Sequence, residues 1–283
     1  MSTETGTVSA QRQRHWRWRR FKAQLRGEFP LRPLADQAAS QPYDQAAIPP
    51  VVYQTWETKS FGKTHHRELL RFRALNPQLA FVLYDTTEMN AYMATHWGEH
   101  PIHAIFQNCR HPPMAVDIFR YCILFERGGF YFDINKGIDA PIVSFLQAGA
   151  EGLVTFEHID EVITPPLALY DQLDFPDNLV AQWGIGFRAG HPFLGRLIDN
   201  ICAYYPRFRG RAFPTPKMGI IALTGPGMFT KTLREHVAEH GRGDILQAGM
   251  NFGGHAIWKM KGSYVRYFTL PTYADVRDDV IVT

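Results

Sequence analysis

Two stretches close together in the chain carry the residues best suited to chemistry: Asp117-Ile118-Phe119-Arg120-Tyr121 and Gly128-Gly129-Phe130-Tyr131-Phe132-Asp133-Ile134-Asn135. Asp117 and Arg120 stand at i and i+3, so on a helix they leave from one face. Taken alone, such a pair reads as an ordinary ion pair on a helix surface. Two glycines then permit a sharp turn into an aromatic strand. Asp133 and Asn135 follow on alternate residues, which point the same way along extended backbone. Strand ends in open α/β sheets are where ligands bind. One carboxylate with one amide oxygen is a sparse set, suited to a hard divalent cation whose other ligands come from a diphosphate and water. An isolated Asp-x-Asn is common in turns. The helix pair and the double glycine set this one apart.

These residues need a scaffold, and the hydrophobic pattern supplies one. Strands are expected at 48–56, 80–85, 130–133, 152–157 and near 179–188. Helices are expected around 68–75, ending at Asn76-Pro77, then at 87–96 and 102–109. Pro112-Pro113 opens a helix from Met114 to Arg127 that stops at Gly128-Gly129. Further helices fall near 192–204 and 227–239, the second behind Thr224-Gly225-Pro226. Strands alternating with helices predict an α/β fold around a mostly parallel sheet. One domain is expected over 46–283, after a basic and partly disordered segment at 1–45, with residues 33–47 read as a loose connector.

Composition narrows the class. With 283 residues and 45% hydrophobic side chains, the chain can build a sizeable core. The net charge of +3 is too small to argue for nucleic acid, and it is unevenly placed. Residues 11–26 hold Arg12, Arg14, Arg17, Arg19, Arg20, Lys22 and Arg26 with no acid; removing those seven leaves −4. If helical, this segment puts Trp18, Phe21 and Leu25 on one face with arginines around them, which suits an anionic membrane surface. A grip on single-stranded nucleic acid and a plain solvated tail remain open beside it. Three cysteines, Cys109, Cys122 and Cys202, match no zinc spacing and read as reduced thiols. No apolar run approaches the roughly 20 residues that cross a bilayer. The expected location is cytoplasmic, extending to a peripheral place at the inner membrane face.

Asp117-x-x-Arg120-Tyr121 followed by Gly128-Gly129-x-Tyr131-x-Asp133-x-Asn135 resembles the signature of glycosyltransferase family 32, the group with a DXD sugar-binding region. Ile48-Pro49, Thr55-Trp56, Asn76-Pro77, Gly190-His191-Pro192-Phe193 and Thr224-Gly225-Pro226 fit the same pattern in order, over about 46–265. The resemblance implies a GT-A-type domain with its nucleotide pocket at the C-terminal edge of the sheet. It implies a nucleotide-sugar donor, a glycan or lipid-linked acceptor, a Mn2+ or Mg2+ cofactor and retention of anomeric configuration. By position, Asp117, Arg120 and Asp133 would be catalytic, and Thr55, Trp56, Tyr131 and Gln182 would join them in holding the donor. Asp133, Asn135 and His255 would be the metal ligands. Asn135 stands where the family pattern has a second aspartate, which lowers the expected metal affinity and leaves a non-catalytic nucleotide-sugar binding protein as the alternative. Trp56 reads equally well as core, and Tyr131 as facing solvent or a helix.

Overall fold

A computed structural model describes residues 18, 20–44, 47–158, 173–175, 177–241, 243–268 and 276–283. Its centre is a six-stranded sheet formed by β1 (Val51–Thr55), β2 (Ala80–Tyr84), β3 (Gly129–Phe132), β4 (Gly152–Glu157), β5 (Leu179–Phe187) and β6 (Ile245–Met250), in the order β6-β4-β5-β3-β1-β2. β5 is antiparallel to both its neighbours, and the other pairings are parallel. The expected α/β class, with a mostly parallel sheet between helices, is therefore borne out. The helices around it are α1 (Lys63–Ala74), α2 (Thr86–Trp97), α3 (Pro101–Gln107), α4 (Pro112–Arg127), α5 (Pro192–Tyr204), α6 (Pro216–Leu223) and α7 (Pro226–His240).

Alternation along the strands sends side chains into two separate cores, one on each face of the sheet. Tyr53 and Tyr131 join α2 to α7 on one face, while Val52, Phe130 and Phe132 join α1 and Phe252 on the other. The aromatic run of β3 is thus divided between two cores. Gly128 and Gly129 are required by local geometry: their φ angles are +65° and +107°. A Cβ on Gly129 would stand 2.7 Å from the Val51 carbonyl oxygen, so β3 can lie this close to β1 only with glycine there.

Several expectations change. Residues 33–44 are not a loose connector. Arg32–Pro33 pairs with Ser60–Phe61, Leu34 is buried, and the Asp36 carboxylate accepts the Leu83 amide at 2.9 Å, covering the outer edge of β2. An exposed parallel edge carries unpaired backbone groups, and this segment satisfies some of them. β6 and α6 lack a clear sequence signal, because Ile245–Met250 is short and mixed in polarity and Pro216–Leu223 has a glycine in mid-helix. Residues 1–17, including Arg12, Arg14 and Arg17, lie outside the described residues, as does Arg19. The three cysteines are free thiols, with Cys122 buried.

Candidate active site

Alternation continues past the end of β3, so Asp133 leaves on the same side as Tyr131, toward α4. Arg120 meets both from the helix. Its guanidinium lies over the Tyr131 ring at 4.4 Å, and Nη2 stands 3.2 Å from Asp133 Oδ1 and 3.2 Å from Asp117 Oδ1. The i, i+3 pair is not on a helix surface: Asp117 and Arg120 are each 4% exposed. A buried pair of this kind needs further hydrogen bonds to offset desolvation, and it has them. Arg120 Nη1 donates to the Gln182 carbonyl at 2.9 Å. Gln182 Nε2 and Thr224 Oγ1 donate to the Asp117 carboxylate at 3.0 and 3.1 Å. The Tyr121 hydroxyl donates to the Thr224 carbonyl at 2.7 Å and is shared with Gln182 Oε1. Burial pushes the Asp117 carboxyl up to about 7, with Arg120 opposing the rise and Asp133 adding to it.

On the open side lies a cleft of about 1350 Å³ at the C-terminal edge of the sheet, walled by α2, α3 and α4. Thr55, Trp56, Arg120, Tyr131, Asp133 and Asn135 all line it. Thr55 Oγ1 and the Tyr131 hydroxyl are 2.8 Å apart, an interaction set by the parallel register of β1 with β3. Tyr131 faces a helix, not solvent, and is 1% exposed; burial pushes its phenol up. Asp117 and Gln182 are not among the lining residues. They sit one layer behind Arg120 and hold its position, because the helix face that carries both members of the pair is covered by β5 and Thr224.

Sequence reasoning missed other groups here. Lys136 and Lys217 line the cleft and bring positive charge to it. Lys136 Nζ is caged by Trp183 and Trp258 at 5.3 and 5.0 Å from the ring centres. Glu157, at the end of β4, is 8% exposed, and burial pushes its carboxyl up against the opposing pull of Lys136. Lys136 directly follows the acidic turn and was findable by position; Lys217 had no local signal.

The turn after β3 is clamped from behind. His65 Nε2 donates to the Ile134 carbonyl at 2.8 Å, and the Met260 amide donates to the Asn135 carbonyl at 2.8 Å. Asp133 and Asn135 thus face the cleft on fixed backbone, with the Asp133 side chain 25% exposed. Two oxygens suit a cation that a diphosphate also ligates. The expected third ligand is set apart from them. His255 Nδ1 pairs with Asp139 Oδ1 at 2.8 Å, both side chains are at least half exposed, and His255 is not in the cleft wall. The short strand Ala256–Ile257 pairs back onto Gly137–Ile138 and carries His255 to that side.

A separate cluster that could surround a metal, Glu151, His191 and Asp244, lies at the opposite, N-terminal end of the strands. The Phe193 amide donates to His191 Nδ1 at 3.2 Å, which leaves the proton of the neutral ring on Nε2, facing Asp244 Oδ2 at 3.3 Å. That tautomer carries its proton on Nε2 and offers no lone pair to a cation there. Burial lowers His191 to about 4, keeping it neutral.

The chain is similar to several known proteins. The chain is 25% identical over 234 residues to an initiation-specific alpha-1,6-mannosyltransferase of Candida albicans, covering 77% of this chain and 59% of that protein. It is 26% identical over 210 residues to the Saccharomyces cerevisiae protein of the same name, covering 61% and 43%. It is also similar to inositol phosphoceramide mannosyltransferase 3 of Schizosaccharomyces pombe, at 24% over 182 residues, covering 64% and 43%. The chain thus spans about half the length of the curated relatives it matches. No family model matches it. Among solved structures, PaToxG glycosyltransferase aligns with a TM-score of 0.44 at 14% identity, covering 67% of this chain and 70% of that one.

Proposed function

We propose that the chain is a glycosyltransferase with a GT-A-type fold, moving a sugar from a nucleoside diphosphate to a hydroxyl of a glycan or lipid-linked glycan. The observation that carries this reading is the Arg120–Asp133 pair on the wall of a large cleft at the C-terminal edge of the sheet. The likeness to three mannosyltransferases supports it and makes mannose the first sugar to try.

In this reading Thr55, Trp56 and Tyr131 form the nucleotide side of the cleft. Arg120, Lys136 and Lys217 offset the negative charge that builds on the diphosphate as the anomeric C–O bond breaks. Asp117 and Gln182 act through Arg120, as positioning residues. Asp133 and Asn135 would hold Mn2+ or Mg2+, which when bound would neutralise diphosphate oxygens. Configuration is retained: the acceptor oxygen approaches on the face that the diphosphate leaves. Its new bond to the anomeric carbon forms as the old one breaks, and its proton passes to a diphosphate oxygen.

The test has two stages. Thermal unfolding with a panel of nucleoside diphosphate sugars, mannose donors first and with or without Mn2+, should show stabilisation by one donor class. That donor should then be consumed by the wild type and not by Asp133→Ala, which keeps its fold. A variant that turns over normally would remove the site. Asn135 in place of an acid favours one second reading, a binding protein; donor bound firmly but never consumed would decide for it.

A further inference from the structure

The described part of the basic N-terminal segment offers a surface that the transfer reaction does not use. Trp18 and residues 20–25 are helical. Trp18, Phe21 and Leu25, at i, i+3 and i+7, are 54%, 48% and 71% exposed, whereas Ala23 on the inner side is fully buried. Single exposed apolar residues are ordinary; three large ones along one ridge of a short helix are not. Arg20, Lys22 and Arg26 are exposed around them, and residues 11–26 contain no acid. The helix is fixed to the domain. Glu28 is buried, and its carboxylate accepts the Thr64 amide at 2.9 Å and the Thr64 hydroxyl at 2.5 Å at the start of α1.

Directly after this tether, Phe29 and Leu31 line an apolar groove of about 290 Å³ together with Phe61 and Val265. Trp56 and Glu57 line both this groove and the main cleft, so the helix is anchored close to the site.

We propose that this helix seats the protein on an anionic lipid bilayer, with the ridge of Trp18, Phe21 and Leu25 in the interface and the basic side chains against the headgroups. The ridge argues against single-stranded nucleic acid as the occupant. Trp18 and Phe21 stack on each other at 5.7 Å and Lys22 Nζ lies 5.0 Å from the Trp18 ring, so these contacts compete with bases for the Trp18 ring and for one face of Phe21, and Leu25 offers a base no stacking surface. Among the described residues no helix is long and apolar enough to cross a membrane, and the contact proposed for this helix is a peripheral one.

Sedimentation of the full chain with vesicles tests this, using phosphatidylcholine alone and phosphatidylcholine mixed with phosphatidylglycerol. The anionic vesicles should bind at least roughly tenfold better, and binding should weaken as salt rises. Phe21→Asp/Leu25→Asp should lose most of that binding while keeping the wild-type melting temperature, and its donor consumption in free solution should be unchanged. Equal sedimentation of the variant and wild type, or no preference for the anionic vesicles, overturns the proposal. So does salt-sensitive binding to a single-stranded oligonucleotide with none to vesicles. Because vesicle binding needs no donor, its failure is distinguishable from failure of the transferase reading.

Discussion

Arg120 reaches Asp133 across the gap between helix and strand at 3.2 Å while being held from behind by Asp117 at the same distance. One guanidinium therefore links a buried carboxylate to a partly open one. The first partner fixes its position, and the second brings it to the cleft.

Removing the link should cost stability as well as function. Arg120→Met leaves Asp117 buried without its cation, a loss of about 3 kcal/mol. The double variant Asp117→Asn/Arg120→Met should recover part of that loss, because no uncompensated charge remains. Denaturant unfolding of the two variants and the wild type measures the difference, and equal stability of the single and double variants would contradict it.

The raised Asp117 carboxyl has a pH signature. The folded group holds its proton up to about 7, whereas an unfolded aspartate releases it near roughly 3.9. Between those values the folded state binds more protons, so this group's contribution makes stability fall as pH rises through the window and level off above it. Asp117→Asn should lack that component in unfolding curves taken across the range. Donor affinity should run the other way, weakening below about 7 as Asp117 loses the charge that holds Arg120.

The glycine entering β3 should resist substitution. At Gly129 a side chain would face both a φ of +107° and a Cβ 2.7 Å from the Val51 carbonyl oxygen. Gly129→Ala is expected to lose about 2 kcal/mol or more, read as a lowered denaturant midpoint. Gly149, whose Cβ would meet nothing within 4 Å, carries only the strain of its φ of +83° and should cost less on the same change.

Restoring charge at the acidic turn should strengthen cation binding. Asn135→Asp adds a carboxylate beside Asp133, and Mn2+ titrated in the presence of a nucleoside diphosphate should bind roughly tenfold tighter, about 1.4 kcal/mol. Calorimetry reads this without relying on turnover. Unchanged affinity would mean that residue 135 does not touch the ion.

Much of the framework was legible in the chain itself. The period of α4 put Asp117 and Arg120 on one face, the double glycine marked the turn, and alternation past β3 paired Asp133 with Asn135. These are local rules, fixed by backbone geometry over a few residues. Tertiary structure decided which layer each group occupies. Asp117 and Gln182 fall behind the wall because β5 and Thr224 close over that helix face, and His255 is drawn to Asp139 by a strand pairing across a long stretch of chain. Lys217 enters the cleft from α6, an element with no clear period. Side-chain direction and depth depend on contacts between residues far apart in sequence, and spacing along the chain does not encode them.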